Sequence, residues 1–316
     1  MTKNRVLRLL AKFGGVLLAG GLLLTAGIAA LPTGIVVALK VAGRAPDCPW
    51  SRVLKLEHTA DRFQELEARM RSSVKIVEED TDWQIVKVRS PNRDFWVRKS
   101  GGWDGARLVA HLLAEHQWDA ENTPEMAVRK GETVIDCGGH IGVYTYTALE
   151  AGAKYVVGIE PDPVNAECYR RNFKSEIADG RVTLVEKGAW SSRSSMELTI
   201  GETNSGMSSM VNVHGRRKVT VPVEPIDDMV AALKLARVDA IKMDIEGAER
   251  EALKGASQTL KKWRPRLMLD ANHRPDDLAV LPNVIRGANQ AYEFECGGCE
   301  IKRPGWRIEP HVIYFR

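Results

Sequence analysis

One stretch restricts the fold of this chain more than any other. It begins T-V-I-D-C-G-G-H-I-G-V-Y-T-Y at Thr133 and closes with Y-V-V-G-I-E-P at Pro161. An apolar strand through Val134 and Ile135 ends on Asp136. Gly138, Gly139 and Gly142 follow, and glycines let a backbone turn tightly and come close to a ligand. Tyr144 to Ala151 is compatible with a helix, and Gly152 is placed to cap its C-terminus. Tyr155 to Ile159 reads as a second buried strand that ends on the acid Glu160. Strand, glycine turn, helix and strand in this order form a nucleotide-binding unit, or else an ordinary turn with convenient glycines.

The ligand follows from the chemistry of the turn. A glycine loop leading into a helix N-terminus offers N–H donors and the positive end of a dipole to an anion. An acid at the end of the second strand is placed to accept ribose hydroxyls. A dinucleotide fingerprint reads G-x-G-x-x-G, whereas here Asp136 stands where its first glycine would be. A carboxylate at that point repels a pyrophosphate and suits an amino-acid ammonium. S-adenosylmethionine carries an ammonium, a carboxylate and a ribose, so it is expected in preference to NAD. The expected cofactor contacts are Asp136, Gly138, Gly139, His140, Gly142, Glu160 and Pro161. Gly188 and Ala189 join them after the third strand.

The remaining chain continues the alternation. Asn165 to Phe173 reads as a helix and Val182 to Val185 as a third strand. Val238 to Met243 is a buried strand ending in Asp244, with a helix running to Ala256. Leu267 to Leu269 is another strand, followed by Asp270-Ala271-Asn272-His273. Tyr292 to Glu295 and His311 to Phe315 suit a closing antiparallel pair. Glu197 to Ile200 and Val219 to Val223 are further strands. The Ser- and Asn-rich loop between them, Gly201 to Gly215, is either plain surface or a substrate lid. Alternating strands and helices predict an α/β, doubly wound, mostly parallel sheet of Rossmann-like type. Ligands bind such sheets at the strands' carboxyl ends. Asp136, Glu160, Asp244 and Asp270 all fall there.

Before this core, Glu57 to Ser73 has helical spacing. Val74 to Val77, Trp83 to Val88 and Phe95 to Arg98 suit short strands, and Ala106 to Glu115 suits a helix, making a small α+β extension that caps the core. Trp83, Trp96 and Trp103 there either pack or line a substrate pocket. Ala45 to Ser51, with Pro46 and Pro49, reads as a linker. Phe13 to Leu39 holds no charged residue and is long enough for a membrane helix, which takes about 20 apolar residues. A cleaved signal peptide is the alternative, but apolar sequence continues past Gly27-Ile28-Ala29 to Leu39. Lys3, Arg5, Arg8 and Lys12 on one flank balance Lys40, Arg44, Arg52 and Lys55 on the other, so charge leaves orientation open. The expected cofactor is made in the cytoplasm, which places the soluble part there on a single-pass anchor. A net charge of +4 over 316 residues and the lack of a basic, aromatic-rich stripe argue against a nucleic-acid partner. Five scattered cysteines form no disulfide framework, and Cys296-Gly-Gly-Cys299 reads as a hairpin turn with free thiols.

The motifs V-I-D-C-G-G-H-I-G-V-Y-T at 134–145, G-I-E-P at 158–161, P-I-D-D-M at 225–229 and above all I-K-M-D-I-E-G-A-E at 241–249 resemble the FkbM family of S-adenosylmethionine-dependent methyltransferases. The resemblance covers roughly Lys130 to Asn272. It implies a class I methyltransferase sheet and O-methylation of a natural product, sugar or lipid-linked group. Family members often carry Glu-x-His after the fifth strand, and here the sequence is Asp270-Ala271-Asn272-His273. The resulting division is a basic N-terminus and anchor at 1–44, a linker and α+β cap at 45–122, and the methyltransferase domain at 123–316. Methyl transfer needs alignment of the acceptor oxygen and often proton removal. Asp244, Glu246 and His273 are the candidate catalytic residues, Asp244 foremost, while Glu246 and Glu249 equally suit the first turn of the next helix. Asp244, Asp270 and Asn272 loosely resemble the oxygen ligands of catechol-type O-methyltransferases and would suit Mg²⁺, though no metal is predicted. The acceptor expected is a small or lipid-linked molecule. The competing reading is a non-catalytic subunit of a membrane complex that keeps the fold.

Overall fold

The computed structural model describes residues 32–99, 102–123, 126–202, 204–211, 217–302 and 305–316. The chain divides into two compact units, one from residues 1–61 with 298–309 and the other from 62–297 with 310–316.

The second unit opens with an antiparallel sheet of β1 (Lys75–Asp80), β2 (Ile85–Arg89) and β3 (Phe95–Arg98). The helix Gly105–Asn122 covers it, burying Ile85, Val88, Phe95 and Val97 with Leu108 and Val109. The same cluster takes in Ile141 and Val143, so this layer packs on the turn that follows the first core strand. Each such side chain withdrawn from water contributes about 1.5–3 kcal/mol.

The core strands are β4 (Thr133–Cys137), β5 (Tyr155–Ile159), β6 (Val182–Val185), β10 (Ala240–Met243), β11 (Arg266–Asp270), β12 (Phe294–Cys296) and β15 (Val312–Phe315), in the order β12-β15-β11-β10-β4-β5-β6. Strands β11, β10, β4, β5 and β6 run parallel, and β15 is antiparallel to both its neighbours. This is the expected doubly wound, mostly parallel sheet, with the predicted closing pair in β12 and β15. All five β4 residues and all four of β10 are buried, as a strand covered by helices on both faces requires. Their register sets Lys242 beside Asp136, so both side chains leave the sheet on one face. A smaller sheet of β7 (Gly188–Ala189), β8 (Ser194–Thr199) and β9 (Lys218–Glu224) follows β6.

The first unit holds the helices Pro32–Val41 and Trp50–Val53 and a two-stranded sheet of β13 (Cys299–Lys302) and β14 (Arg307–Pro310). Cys48 and Cys299 form a disulfide across 251 positions of sequence. The expectation of a free thiol at Cys299 is thereby corrected, because so distant a pair leaves no spacing signal. Cys296 does remain a thiol, as do Cys137 and Cys168. The hairpin expected at 296–299 is corrected too, since β12 and β13 belong to different sheets. Gly297 instead donates its N–H to Val312 O at 3.0 Å. No helix among the described residues is long and apolar enough to cross a membrane. Residues 13–31 of the expected anchor lie outside the described residues, and its end falls in the ten-residue helix Pro32–Val41.

Candidate active site

The carboxyl ends of β4, β5 and β10 open into a cavity of about 200 Å³. Gly138 turns the chain out of β4 at φ +80°, and a Cβ there would collide with the carbonyl oxygen of Asp244. Only glycine lets the two strand ends close. Gly142, at φ +88°, precedes the helix Val143–Glu150, and a Cβ would strike the Phe173 ring. Gly138, Gly139 and His140 line the cavity, and the His140 N–H donates to Glu160 Oε2 at 2.8 Å. Glu160 Oε1 accepts the Asp162 N–H at 2.8 Å. Burial, and then the Asp162 carboxylate, push the Glu160 carboxyl up to about 8. Pro161, Gly188 and Ala189 complete this wall. Seven of the expected cofactor residues therefore face one cavity.

The other two stand behind it. Gly142 serves the helix start and does not line the cavity. Asp136 is fully buried, and its Oδ2 accepts Thr145 Oγ1 at 2.7 Å, which in turn meets Tyr169 OH at 2.7 Å. Its Oδ1 has no hydrogen bond and lies 3.8 Å from Lys242 Nζ. A direct contact between Asp136 and an ammonium is thus not what the geometry offers; the carboxylate supports the turn. Lys242, absent from the sequence expectations, is the residue that meets the ligand side. It lines the cavity, donates to Gly138 O at 3.1 Å and stands 3.9 Å from Asp244 Oδ2. Burial alone would lower its pKa, but Asp244, Asp136 and Asp270 outweigh it and hold the ammonium charged.

Asp244 and Glu246 form the facing wall. Glu246 has a left-handed backbone at φ 54°, costly for a non-glycine residue, and its carbonyl accepts Ser209 Oγ at 2.7 Å. Burial, only partly offset by His273, raises its carboxyl to about 7. His273 sits behind this pair, with Nδ1 2.9 Å from Glu249 Oε1 and Nε2 3.6 Å from Asp244 Oδ1 and 3.7 Å from Glu246 Oε2. Burial opposes its charge, but the Glu249 hydrogen bond and the three carboxylates lift it to about 10. A histidine held as imidazolium has no free lone pair to take a proton at neutral pH, and its contacts here are to the three carboxylates. Asp244, Glu249 and His273 bring one atom each within 4.8 Å of one another, a spacing a metal could use. Lys242 and His273 also pair with these carboxylates, and Asp270 is not part of the group.

Two further walls were only partly legible. Leu108, His111, Leu112, Glu115 and His116 line the cavity from the helix Gly105–Asn122. Their spacing of three and four is one helical face, a signal the sequence did contain. Asn204, Gly206, Met207, Ser208 and Met210 bring the Ser- and Asn-rich loop to the cavity. His140 Nε2 lies 2.7 Å from Ser205 Oγ, and Asn165 Nδ2 donates to Ser205 O at 3.0 Å, so the loop is tied to the cofactor wall. None of the three tryptophans lines the cavity. Trp96 stacks under Arg171 at 5.0 Å and Trp103 under Arg107 at 4.2 Å, which are packing roles.

Residues 136–295 match the methyltransferase FkbM domain. Over 182 residues the chain is 24% identical to Methyltransferase sdnD of Sordaria araneosa, covering 48% of this chain and 68% of that one. It is 24% identical over 203 residues to Methyltransferase 1 of Beauveria bassiana (strain ARSEF 2860), covering 58% and 78%. The crystal structure of Methyltransferase FkbM from Methylobacillus flagellatus KT superposes with a TM-score of 0.45 at 21% identity; the alignment covers 88% of this chain and spans 65% of the length of that one. With its glycine turn, its I-K-M-D-I-E-G-A-E strand end and more than half its length matched, the chain belongs to the FkbM methyltransferase family.

Proposed function

We propose that this protein is an S-adenosylmethionine-dependent O-methyltransferase acting on a small or lipid-linked acceptor that bears a hydroxyl. One observation carries the reading. The glycine turn, Glu160 and Gly188–Ala189 wall one side of a single cavity, and Asp244 and Glu246 wall the other. The turn suits the cofactor because Gly138, packed too closely on the Asp244 carbonyl for any side chain, still lines the cavity with its backbone. Gly138, Gly139 and His140 would hold the amino-acid end, and Glu160 would accept the ribose hydroxyls. S-adenosylmethionine would supply an electrophilic methyl group. The chain's own work is alignment and proton handling. Lys242 pins the Gly138 turn to the end of β10, where the two ligands would meet. Glu246, tuned by burial to ionise about 7, takes the acceptor proton, and His273 holds Glu246 and Asp244 in place. The imidazole contacts keep the pair aimed at the cavity.

The charge-free run 13–39 supports a membrane anchor beside this domain, with the soluble part facing the cytoplasm where the methyl donor is made. The test is titration of S-adenosylmethionine into the full-length chain, followed by labelled-methyl transfer to cell lipid and glycan extracts. Micromolar binding with transfer to an extractable acceptor is expected. Folded protein that does not bind the cofactor would refute the proposal; binding without transfer to any extract would return the non-catalytic subunit.

A further inference from the structure

We infer that the active-site cavity continues into a second, apolar subsite that takes the unbranched aliphatic arm of the methyl acceptor. This rests on the methyltransferase reading and narrows its acceptor to an amphiphile, a hydroxyl-bearing head on a hydrocarbon chain. A cavity of about 90 Å³ lies against the helix Val143–Glu150. It shares His116 and Tyr144 with the larger cavity, so this pair of rings, with centroids 5.5 Å apart and tilted by 59°, stands between the two spaces.

The chemistry of the walls changes across that partition. On one side stand Lys242, Asp244, Glu246 and Glu115. On the other the walls are Met126, Val128, Ala148, Ala151 and Met268. The two threonines there are already engaged, Thr123 Oγ1 with Tyr314 OH at 3.1 Å and Thr147 Oγ1 donating to Tyr144 O at 2.8 Å. Burial drives the His116 ring down to about 3, so it is neutral at the boundary. Tyr144, Thr147 and Ala148 share one face of their helix with Ala151 capping its end on the same side, at spacings of three and four, and two of the four are alanines where a larger residue would close the gap. Methionine side chains on the opposite wall adapt to irregular apolar shapes. Protein interiors rarely leave apolar space unfilled. An apolar cavity of about 150 Å³ takes a benzene ring, so this one suits a straight run of about four carbons.

The test uses the full-length chain with methyl-labelled methionine, S-adenosylhomocysteine and a series of n-alkanols from propan-1-ol to octan-1-ol. Alkanol should shift the Met126 and Met268 methyl signals. Affinity should rise about fourfold per methylene until about the fourth buried carbon and then level off. Ala151→Leu, at the exposed rim, should flatten that rise while leaving S-adenosylhomocysteine affinity within about twofold. Still methionine signals, or affinity independent of chain length, with S-adenosylhomocysteine bound normally, would overturn the subsite. Loss of S-adenosylhomocysteine binding with the alkanol response intact would overturn the methyltransferase reading and leave the subsite standing.

Discussion

Replacing Lys242 by methionine tests how the turn is built. The ammonium lies 3.8 Å from Asp136 Oδ1 and 3.9 Å from Asp244 Oδ2, and Asp136 is fully buried. Each contact is worth about 4 kcal/mol at an effective dielectric constant of 20 before the cost of burying the charges. Methionine matches the lysine stem but leaves Asp136 without its cation and Gly138 O without its donor. Removing one partner of a buried pair costs about 3–5 kcal/mol. For a unit of this size that lowers the thermal midpoint by roughly 6–20 °C. The pH dependence gives a second handle. Burial holds the Asp136 carboxyl above its ordinary value even with Lys242 present. Without Lys242 it rises further, so the folded state binds a proton that the unfolded state releases. Stability of the variant must then fall as pH rises above about 4, by up to about 1.4 kcal/mol per pH unit, until the folded pKa is passed. Adding Asp136→Asn should remove that slope and recover part of the midpoint. The assay is thermal unfolding from pH 5 to 8 on wild type, both single variants and the double. A loss under 1 kcal/mol, or strict additivity of the two substitutions, would refute the pairing.

Glu246→Gln should abolish a pH–rate step near 7, because the wild-type rate rises as the carboxyl deprotonates and the amide cannot titrate. Methyl-transfer rates on the identified acceptor between pH 5.5 and 8.5 measure it, with a loss of about 10²–10⁴-fold above pH 7. Gly138→Ala should abolish S-adenosylhomocysteine binding by calorimetry, since the φ of +80° and the Asp244 carbonyl both exclude a Cβ. His273→Gln should destabilise the protein by on the order of 3 kcal/mol at pH 6. His273 is raised in the folded state, so its stabilisation is full below the unfolded pKa of about 6.5 and fades as pH approaches about 10. Denaturant unfolding of both proteins at pH 6 and pH 9.5 should show the gap narrowing.

Much of the sheet was legible because parallel strands are buried on both faces and read as unbroken apolar runs. Val134–Ile135, Val156–Val157 and Ile241 gave the core strands, and an acid at each end gave the binding edge. Lys242 escaped because a lysine inside a buried run looks like an interruption. Its meaning comes from the register that sets it beside Asp136, a pairing across more than a hundred residues of chain. Asp136 shows the same limit: its residue type suggests a ligand contact, while its burial depends on Thr145 and Tyr169 closing over it. By residue type alone His273 is one of three candidate bases, behind Asp244. Its three carboxylate neighbours come from the turn after β10 and the start of the helix Glu249–Lys254, and only their convergence fixes its charge. Cys48 and Cys299 left no trace in sequence, since a single bond closing so long a loop has no local pattern.

That bond bears on where the domain works. Disulfides persist in oxidising compartments and are rare in the cytosol. The methyl donor is made in the cytosol, and the flanking charges of the 13–39 segment leave both orientations open. The Cα atoms of Cys48 and Cys299 are 6.4 Å apart within one compact unit, inside the usual disulfide range. On the proposed cytoplasmic face the Cys48–Cys299 bond of the structure would be kept reduced in cells and would close on oxidation. The expected outcome is therefore five alkylatable cysteines when cells are quenched in acid and denatured under a mass-tagging reagent. Purified protein left in air should show three, as the Cys48–Cys299 pair closes. Three in the quenched cells would count against the cytoplasmic orientation, because disulfides are rare in the cytosol.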